Sequence, residues 1–279
     1  MGCRYSEIEL SQRFFYALDA FNEEYGSDIS EANTILAFFD PRNGMEVYER
    51  LCKEHFPKYL KENYKHDGYF DSFAAQAFVN DEEYGVLIRS DIDFPLLELH
   101  SMFLHEISHL YCTRNEIHGG NFFDRYCMGS GEEDGMLNAG YAIWREAVAD
   151  IMADTVWSAS GDKTLRKVKS KVDRLNNMIS SEDKDSKKYM ARIIFHIIAT
   201  DEVVYAKSWA EAETKIEKCI KFEYPQTVMI LKAVFDNLHE PEFWEITPDF
   251  IKELGQLYIA MLASKAYDRN YSRLFSESQ

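Results

Sequence analysis

The sequence lacks three features that would assign it to a membrane or to the secretory pathway. No apolar run approaches the ~18 residues that a membrane-spanning helix needs, so we expect no membrane span. The first 25 residues carry charges throughout and contain no apolar signal segment. The five cysteines form no C-x-x-C pair, which argues against a disulfide framework and against a cysteine-based zinc site. These absences predict a cytoplasmic protein with reduced thiols. The opening MGCRYS fits the short N-myristoylation pattern, but we interpret it as an ordinary start or as a glycine left by a cleaved tag.

Positive charge is also scarce. The chain has 31 Lys and Arg against 48 Asp and Glu, which gives a formal net charge of −17. Such a surface repels phosphate backbones, so we expect no nucleic-acid partner. The one basic stretch, KTLRKVKSKVDR at 163–174, is interpreted as the solvated face of a helix.

The hydrophobic pattern predicts an α+β protein that is mainly helical. Two short apolar runs, AAQAFV at 74–79 and YGVLIR at 84–89, predict a β-hairpin or two adjacent strands. YGVLIR is expected to be an edge strand, which could align an extended peptide. The remaining predictions are helices at 7–24, 44–64, from near Pro95 with Asp91 or Asp93 as its cap, 141–157, 187–199 and 248–267, and a glycine-containing loop at 113–140.

The stretch FLHEISHLYC at 103–112 has two histidines four apart, with a glutamate directly after the first. In an α-helix this spacing turns about 400°, so His105 and His109 emerge from nearly one face. Two imidazoles placed in this way can bind one Zn²⁺. Glu106 lies one residue further round. Its carboxylate can act there as general base on a water at the metal without being a ligand.

A third ligand is available on the predicted helix that contains EAVAD, because Glu146 and Asp150 share one helical face. Glu146 can complete a site of two histidines and one glutamate. Asp150 can accept the free N–H of a ligating histidine and fix its tautomer. Glu132 and Glu133, in the predicted loop, remain alternative ligands. The histidines could instead be core residues bonded to carbonyl groups, but Glu106 would then be a costly buried charge.

HEISH, followed after 36 residues by EAVAD, resembles the signature of the gluzincin zinc metallopeptidases, H-E-x-x-H with E-x-x-x-D on a later helix. The resemblance implies two histidine ligands and one glutamate ligand, a catalytic base and a carboxylate that orients a ligand. In this chain these are His105, His109, Glu146, Glu106 and Asp150 respectively.

The strand, the HEISH helix and REAVADIMAD also resemble, over roughly residues 74–157, the compact ImmA/IrrE-type peptidase domain. That resemblance implies an intracellular protease acting on regulatory proteins, with a zincin-like core and a small β-sheet next to the H-E-x-x-H helix. The metzincin pattern is excluded, because it requires a glycine and a third histidine where this chain has Cys112 and Asn115.

We therefore expect a single catalytic unit over 1–279. Its parts are an N-terminal helical part at 1–68, a zincin-like core at 69–158 and a C-terminal helical part at 159–279. The expected activity is zinc-dependent hydrolysis of peptide bonds in a peptide or protein substrate. One alternative is a zincin-like domain whose structural or vestigial metal supports protein binding. Another is a helical scaffold without metal.

Peptide hydrolysis develops negative charge on the oxygen of the substrate carbonyl, and a hydrogen-bond donor usually stabilises this oxyanion. The sequence does not identify that donor. Tyr141 is the first candidate, because it lies just before the helix segment that carries Glu146. The other candidates are Arg145, His118, Tyr126, His196, His239 and Tyr258. Cleavage preference, endo- or exopeptidase action and oligomeric state also remain open.

Overall fold

The computed structural model confirms the α+β, mainly helical class, with a small three-stranded mixed sheet. It describes residues 4–60, 69–71, 73–117, 119, 121–129, 131–159, 206–217, 225–240 and 242–260. The basic stretch 163–174, the predicted helix 187–199 and the end of the predicted helix 248–267 lie outside these residues. No described helix combines the length and hydropathy that crossing a bilayer requires.

Helices and strands are interspersed along the first part of the chain, and the described elements after Arg89 are helices. The strands are β1 (Thr34–Phe39), β2 (Ala75–Val79) and β3 (Tyr84–Arg89). The helices are α1 (Glu7–Tyr25), α2 (Gly44–Glu54), α3 (Leu96–Arg114), α4 (Phe122–Tyr126), α5 (Glu132–Ala159), α6 (Trp209–Glu217), α7 (Pro225–Leu238) and α8 (248–260). The chain divides into two compact units, Met1–Asn115 with Met152–Lys163, and Glu116–Ile151 with Thr164–Gln279. The expectation of one catalytic unit remains a prediction.

The sheet of the first unit has the order β1-β3-β2. The predicted hairpin is confirmed, because β2 and β3 pair in antiparallel fashion. The predicted edge position of YGVLIR is wrong. Strand β1 pairs with β3 in parallel on its other side, so β3 is the central strand. The sequence TILAFF gave no strand prediction because it does not alternate apolar and polar residues. In the described sheet the edges are therefore β1 and β2.

Helix α1 has signals that agree at both ends. Ser6 and Glu9 form a capping box at its start, and Gly26 ends it in the left-handed conformation at φ 61°. Its apolar stripe is buried, and Phe14 makes an edge-to-face contact with Phe103 of α3 at 5.4 Å between ring centroids. Helix α1 thus packs directly on the helix that carries HEISH.

Helix α3 is apolar around most of its circumference and is deeply buried. The predicted start near Pro95 is confirmed, because α3 begins at Leu96, but the predicted aspartate cap is wrong. Pro95 precedes the first turn and no side chain caps it, whereas the carboxylate of Asp91 accepts a hydrogen bond from Arg89 Nε at 2.7 Å. Asp91 therefore pairs with Arg89 instead of capping the helix, and the sequence pattern did not reveal this pair. Helix α3 also packs against β2.

The second unit corrects the prediction of a long loop at 113–140. Helix α4 lies within that range, and α5 begins at Glu132 rather than at 141. The glycines there suggested a loop, but Gly140 serves close helix packing. A methyl group at Gly140 would lie 1.8 Å from the carbonyl oxygen of Ile251, and one at Gly255 would lie 1.9 Å from that of Met136. The reciprocal contacts fix α5 against α8.

Candidate metal centre

Helix α3 brings the two imidazoles of HEISH to one point. The Nε2 atoms of His105 and His109 are 3.0 Å apart, and the ring planes are perpendicular with centroids at 4.6 Å. Two nitrogens bound to one tetrahedral zinc at ~2.0–2.1 Å would be about 3.3 Å apart. The predicted side-chain geometry is therefore present within a single turn of one helix.

The burial of polar groups is concentrated at this motif. Among the described residues, five polar or charged ones are buried. Four belong to HEISH, namely His105, Glu106, Ser108 and His109, and the fifth is Asp150. Burying such groups costs free energy unless each has a partner. The Ser108 hydroxyl is accounted for, because it donates to the Leu104 carbonyl oxygen at 2.7 Å. The other three HEISH residues are those to which the resemblance assigns a metal or catalytic role.

Glu146 of α5 completes a group that could hold a metal ion. One ligand atom from each of His105, His109 and Glu146 lies within 4.8 Å of the other two. In the described part of the chain no other group of three such side chains meets this criterion. The alternative Glu133 instead pairs with Lys252. Two imidazole nitrogens and a carboxylate oxygen are a donor set that zinc accepts.

A contact that the sequence analysis missed holds the Glu146 carboxylate. Arg145 Nη2 donates to Glu146 Oε1 at 3.1 Å, and the two side chains are 47% and 24% exposed respectively. Neighbouring residues on a helix point about 100° apart, so periodicity gave no signal for this pair. The contact engages one carboxylate oxygen from the solvent side.

Glu106 is buried, with only 6% of its surface exposed. Its carboxylate forms no hydrogen bond or ion pair with the residues that the structure describes. A carboxylate in that position has lone pairs available for a water molecule. Its role as general base remains a prediction.

Two further predicted residues, Asp150 and Tyr141, lie on helix α5 together with Glu146. Asp150 is 2% exposed and lies one turn after Glu146. Tyr141 lies inside α5 rather than before it, and its ring stacks on Phe122 at 5.6 Å with an interplanar angle of 13°. The roles assigned to Asp150 and Tyr141 remain predictions.

The other named candidates are placed as follows. His118 and His196 lie outside the described residues. His239 Nδ1 is 2.8 Å from the carbonyl oxygen of Phe235. Cys112 is fully buried, with its sulfur 3.2 Å from that of Met152. Burial raises the pKa of the Cys112 thiol, as expected for an inert core cysteine.

No protein-family model, curated protein or solved structure matches this chain. The likeness to the gluzincins therefore remains one of motif and spacing.

Proposed function

We propose that the protein is a zinc-dependent metallopeptidase of the gluzincin type. The observation that carries the proposal is the convergence of His105, His109 and Glu146 within 4.8 Å, next to the buried carboxylate of Glu106. Burying several polar groups in one helix turn costs free energy, which a helix that served only in core packing would avoid by carrying apolar residues there.

Zinc is the metal that the donor set favours. Calcium and magnesium prefer oxygen ligands, whereas His105 and His109 offer imidazole nitrogens. Three protein ligands of this type leave a fourth position for solvent or substrate, which is the usual arrangement of catalytic zinc. A purely structural site would more often have four protein ligands.

The chemistry divides between the metal and Glu106. Bound zinc supplies Lewis acidity, which activates water and polarises a substrate carbonyl. Glu106 takes the proton of the attacking water and passes it to the leaving amine. An extended peptide is a suitable substrate because β2, an edge of the described sheet, packs against α3 and can align a peptide through main-chain hydrogen bonds.

A cytoplasmic location is part of the same proposal. Cys52, Cys112 and Cys127 are free thiols in the described part of the chain. Free buried thiols agree with a reducing compartment.

The test combines metal content with hydrolysis. Protein purified without chelators should contain about one zinc per chain, measured by inductively coupled plasma mass spectrometry. A peptide library analysed by mass spectrometry should reveal cleavage. Glu106→Gln should retain zinc and lose about 10²–10⁴-fold in kcat/KM, because the base is removed while the ligands remain. Glu98→Gln, at an exposed position of the same helix, is the matched control and should cleave normally.

Two outcomes would contradict the proposal. Normal turnover by Glu106→Gln would remove Glu106 from the chemistry. Stoichiometric zinc without cleavage of any library peptide would favour the alternative function, a metal-supported domain that binds a protein partner.

A further inference from the structure

The outer edge of β1 lacks the features that usually protect an exposed strand. Natural edge strands carry lysines, prolines or bulges that prevent pairing with another chain. Strand β1, with the sequence TILAFF, has no charge, no proline and no glycine, and it lies at an edge of the described sheet. An uncharged edge in which Thr34, Ile35, Phe38 and Phe39 have high β-propensity favours the addition of another strand.

A groove of about 470 Å³ runs beside this edge. Four consecutive β1 residues, 35–38, line it. Successive side chains of a strand point to opposite faces of the sheet. A groove that contacts four residues in a row must therefore follow the edge, where outward-pointing backbone N–H and C=O groups lie.

Four of the twelve residues that line the groove are charged, and three of these four are glutamates. Helix α2 contributes Glu46, Arg50 and Glu54, spaced at four-residue intervals along one face. The first residue of α1, Glu7, adds a third carboxylate. Glu46 and Glu54 are exposed and so are available to a ligand. The charged groups of these two helices sum to an acidic wall.

We propose that the β1 edge binds an extended segment of another protein that carries basic side chains. The partner's backbone pairs with β1, and its lysine or arginine side chains face Glu46, Glu54 and Glu7. The formal charge of −17 attracts a basic segment over longer distances. A second copy of this chain is the less suitable occupant, because it would bring the same acidic wall against itself. This surface is separate from HEISH, so the proposal does not depend on peptidase activity.

The test measures binding of defined peptides to the full chain by fluorescence anisotropy. The probe is a fluorescein-labelled eight-residue peptide of alternating lysine and valine with blocked ends. Its companions are the glutamate–valine version and a lysine–valine version N-methylated at every second residue. The lysine–valine peptide should bind, and the other two should not. N-methylation keeps the charge but removes one edge of backbone donors.

Charge-matched variants locate the site. Glu46→Lys with Glu54→Lys should weaken binding about tenfold, from the loss and reversal of two exposed charge pairs. Glu23→Lys with Glu24→Lys, at exposed positions near the end of α1, changes the net charge equally and should leave binding nearly unchanged.

Equal weakening by both double variants, or full binding by the N-methylated peptide, would show only general attraction to an acidic protein and overturn the proposal. Dimerisation through β1, detected by analytical ultracentrifugation together with amide protection of residues 34–39, would also overturn it and identify a second copy as the occupant.

Discussion

Helices α1 and α3 have the same length, 19 residues, and pack on one another, yet they bury different chemistry. Every buried residue of α1 is apolar; these are Leu10, Phe14, Ala17, Leu18 and Phe21. Helix α3 buries four polar residues of HEISH among its apolar ones and begins without a side-chain cap. In α1 the cap, the periodicity and the burial agree. The buried polar residues of α3 are clustered in HEISH, which supplies two of the three candidate metal ligands. Such local conflicts with stability are typical of functional sites.

The contact shared by the two helices should give the largest effect on stability. Phe103→Ala removes a fully buried ring that meets Phe14 at 5.4 Å. Loss of the ring and the cavity left behind should lower the free energy of unfolding by about 3–5 kcal/mol. Urea denaturation followed by circular dichroism measures the change.

The matched control for that experiment lies on the exposed side of α1. Ile8 is 72% exposed, so Ile8→Ala should change the free energy of unfolding by less than about 0.5 kcal/mol. A loss below about 1 kcal/mol for Phe103→Ala would mean that the site can collapse around the cavity and that α1 does not support α3 as described.

Metal binding should stabilise the folded chain through α3. At zinc concentrations of 100 to 1,000 times the dissociation constant, the free energy of unfolding should rise by about 3–4 kcal/mol over metal-free protein. The double variant His105→Ala with His109→Ala should show no such rise, because two of three ligands are gone. Thermal unfolding with and without added zinc measures both.

His100→Ala provides the control for the loss of a histidine from α3. His100 contacts Tyr16 of α1 at a centroid distance of 5.8 Å and lies five residues before His105, on another part of the helix. Zinc should raise the free energy of unfolding of the His100→Ala variant as much as that of the unaltered chain. A full zinc effect in the double histidine variant would place the metal elsewhere.

The sequence predicted the three candidate ligands because helical spacing records which side chains share a face. The four-residue intervals from His105 to His109 and from Glu146 to Asp150 each place two side chains on one face, and length and apolar content made both helices recognisable.

What the sequence did not predict depends on contacts between distant segments. Strand β1 is defined by its partner β3, and TILAFF alone has no alternation to reveal it. Gly140 suggested a loop because a glycine needed for close packing has the same composition signal as one needed for a turn. The expected cap Asp91 was taken by Arg89, a choice that only the folded neighbourhood makes.

The cap of α1 should have a smaller effect than either core packing or metal. Glu9 N–H donates to Ser6 Oγ at 3.3 Å, so Ser6→Ala should cost about 1 kcal/mol of unfolding free energy without changing zinc binding. The backbone N–H and then the hydroxyl of Ser6 lower the pKa of Glu9. The stabilisation that these hydrogen bonds to Glu9 give is therefore present above the ordinary glutamate pKa. It is lost as pH falls through the lowered pKa of Glu9. Denaturation of both proteins at neutral and acidic pH should show the difference shrinking in acid.

The smallest change in unfolding free energy should come from Ser108. It tests whether this hydroxyl is buried only because it bonds within the helix or because it supports the candidate metal ligands. Its hydroxyl donates to the Leu104 carbonyl oxygen within the same helix. Ser108→Ala should change the free energy of unfolding by no more than about 0.5 kcal/mol, because alanine is the better helix former and that carbonyl keeps its helical N–H partner. Zinc stabilisation should be unchanged. A loss above about 1.5 kcal/mol, or weaker zinc binding, would mean that Ser108 serves the metal group and that all four buried polar residues of the motif act together.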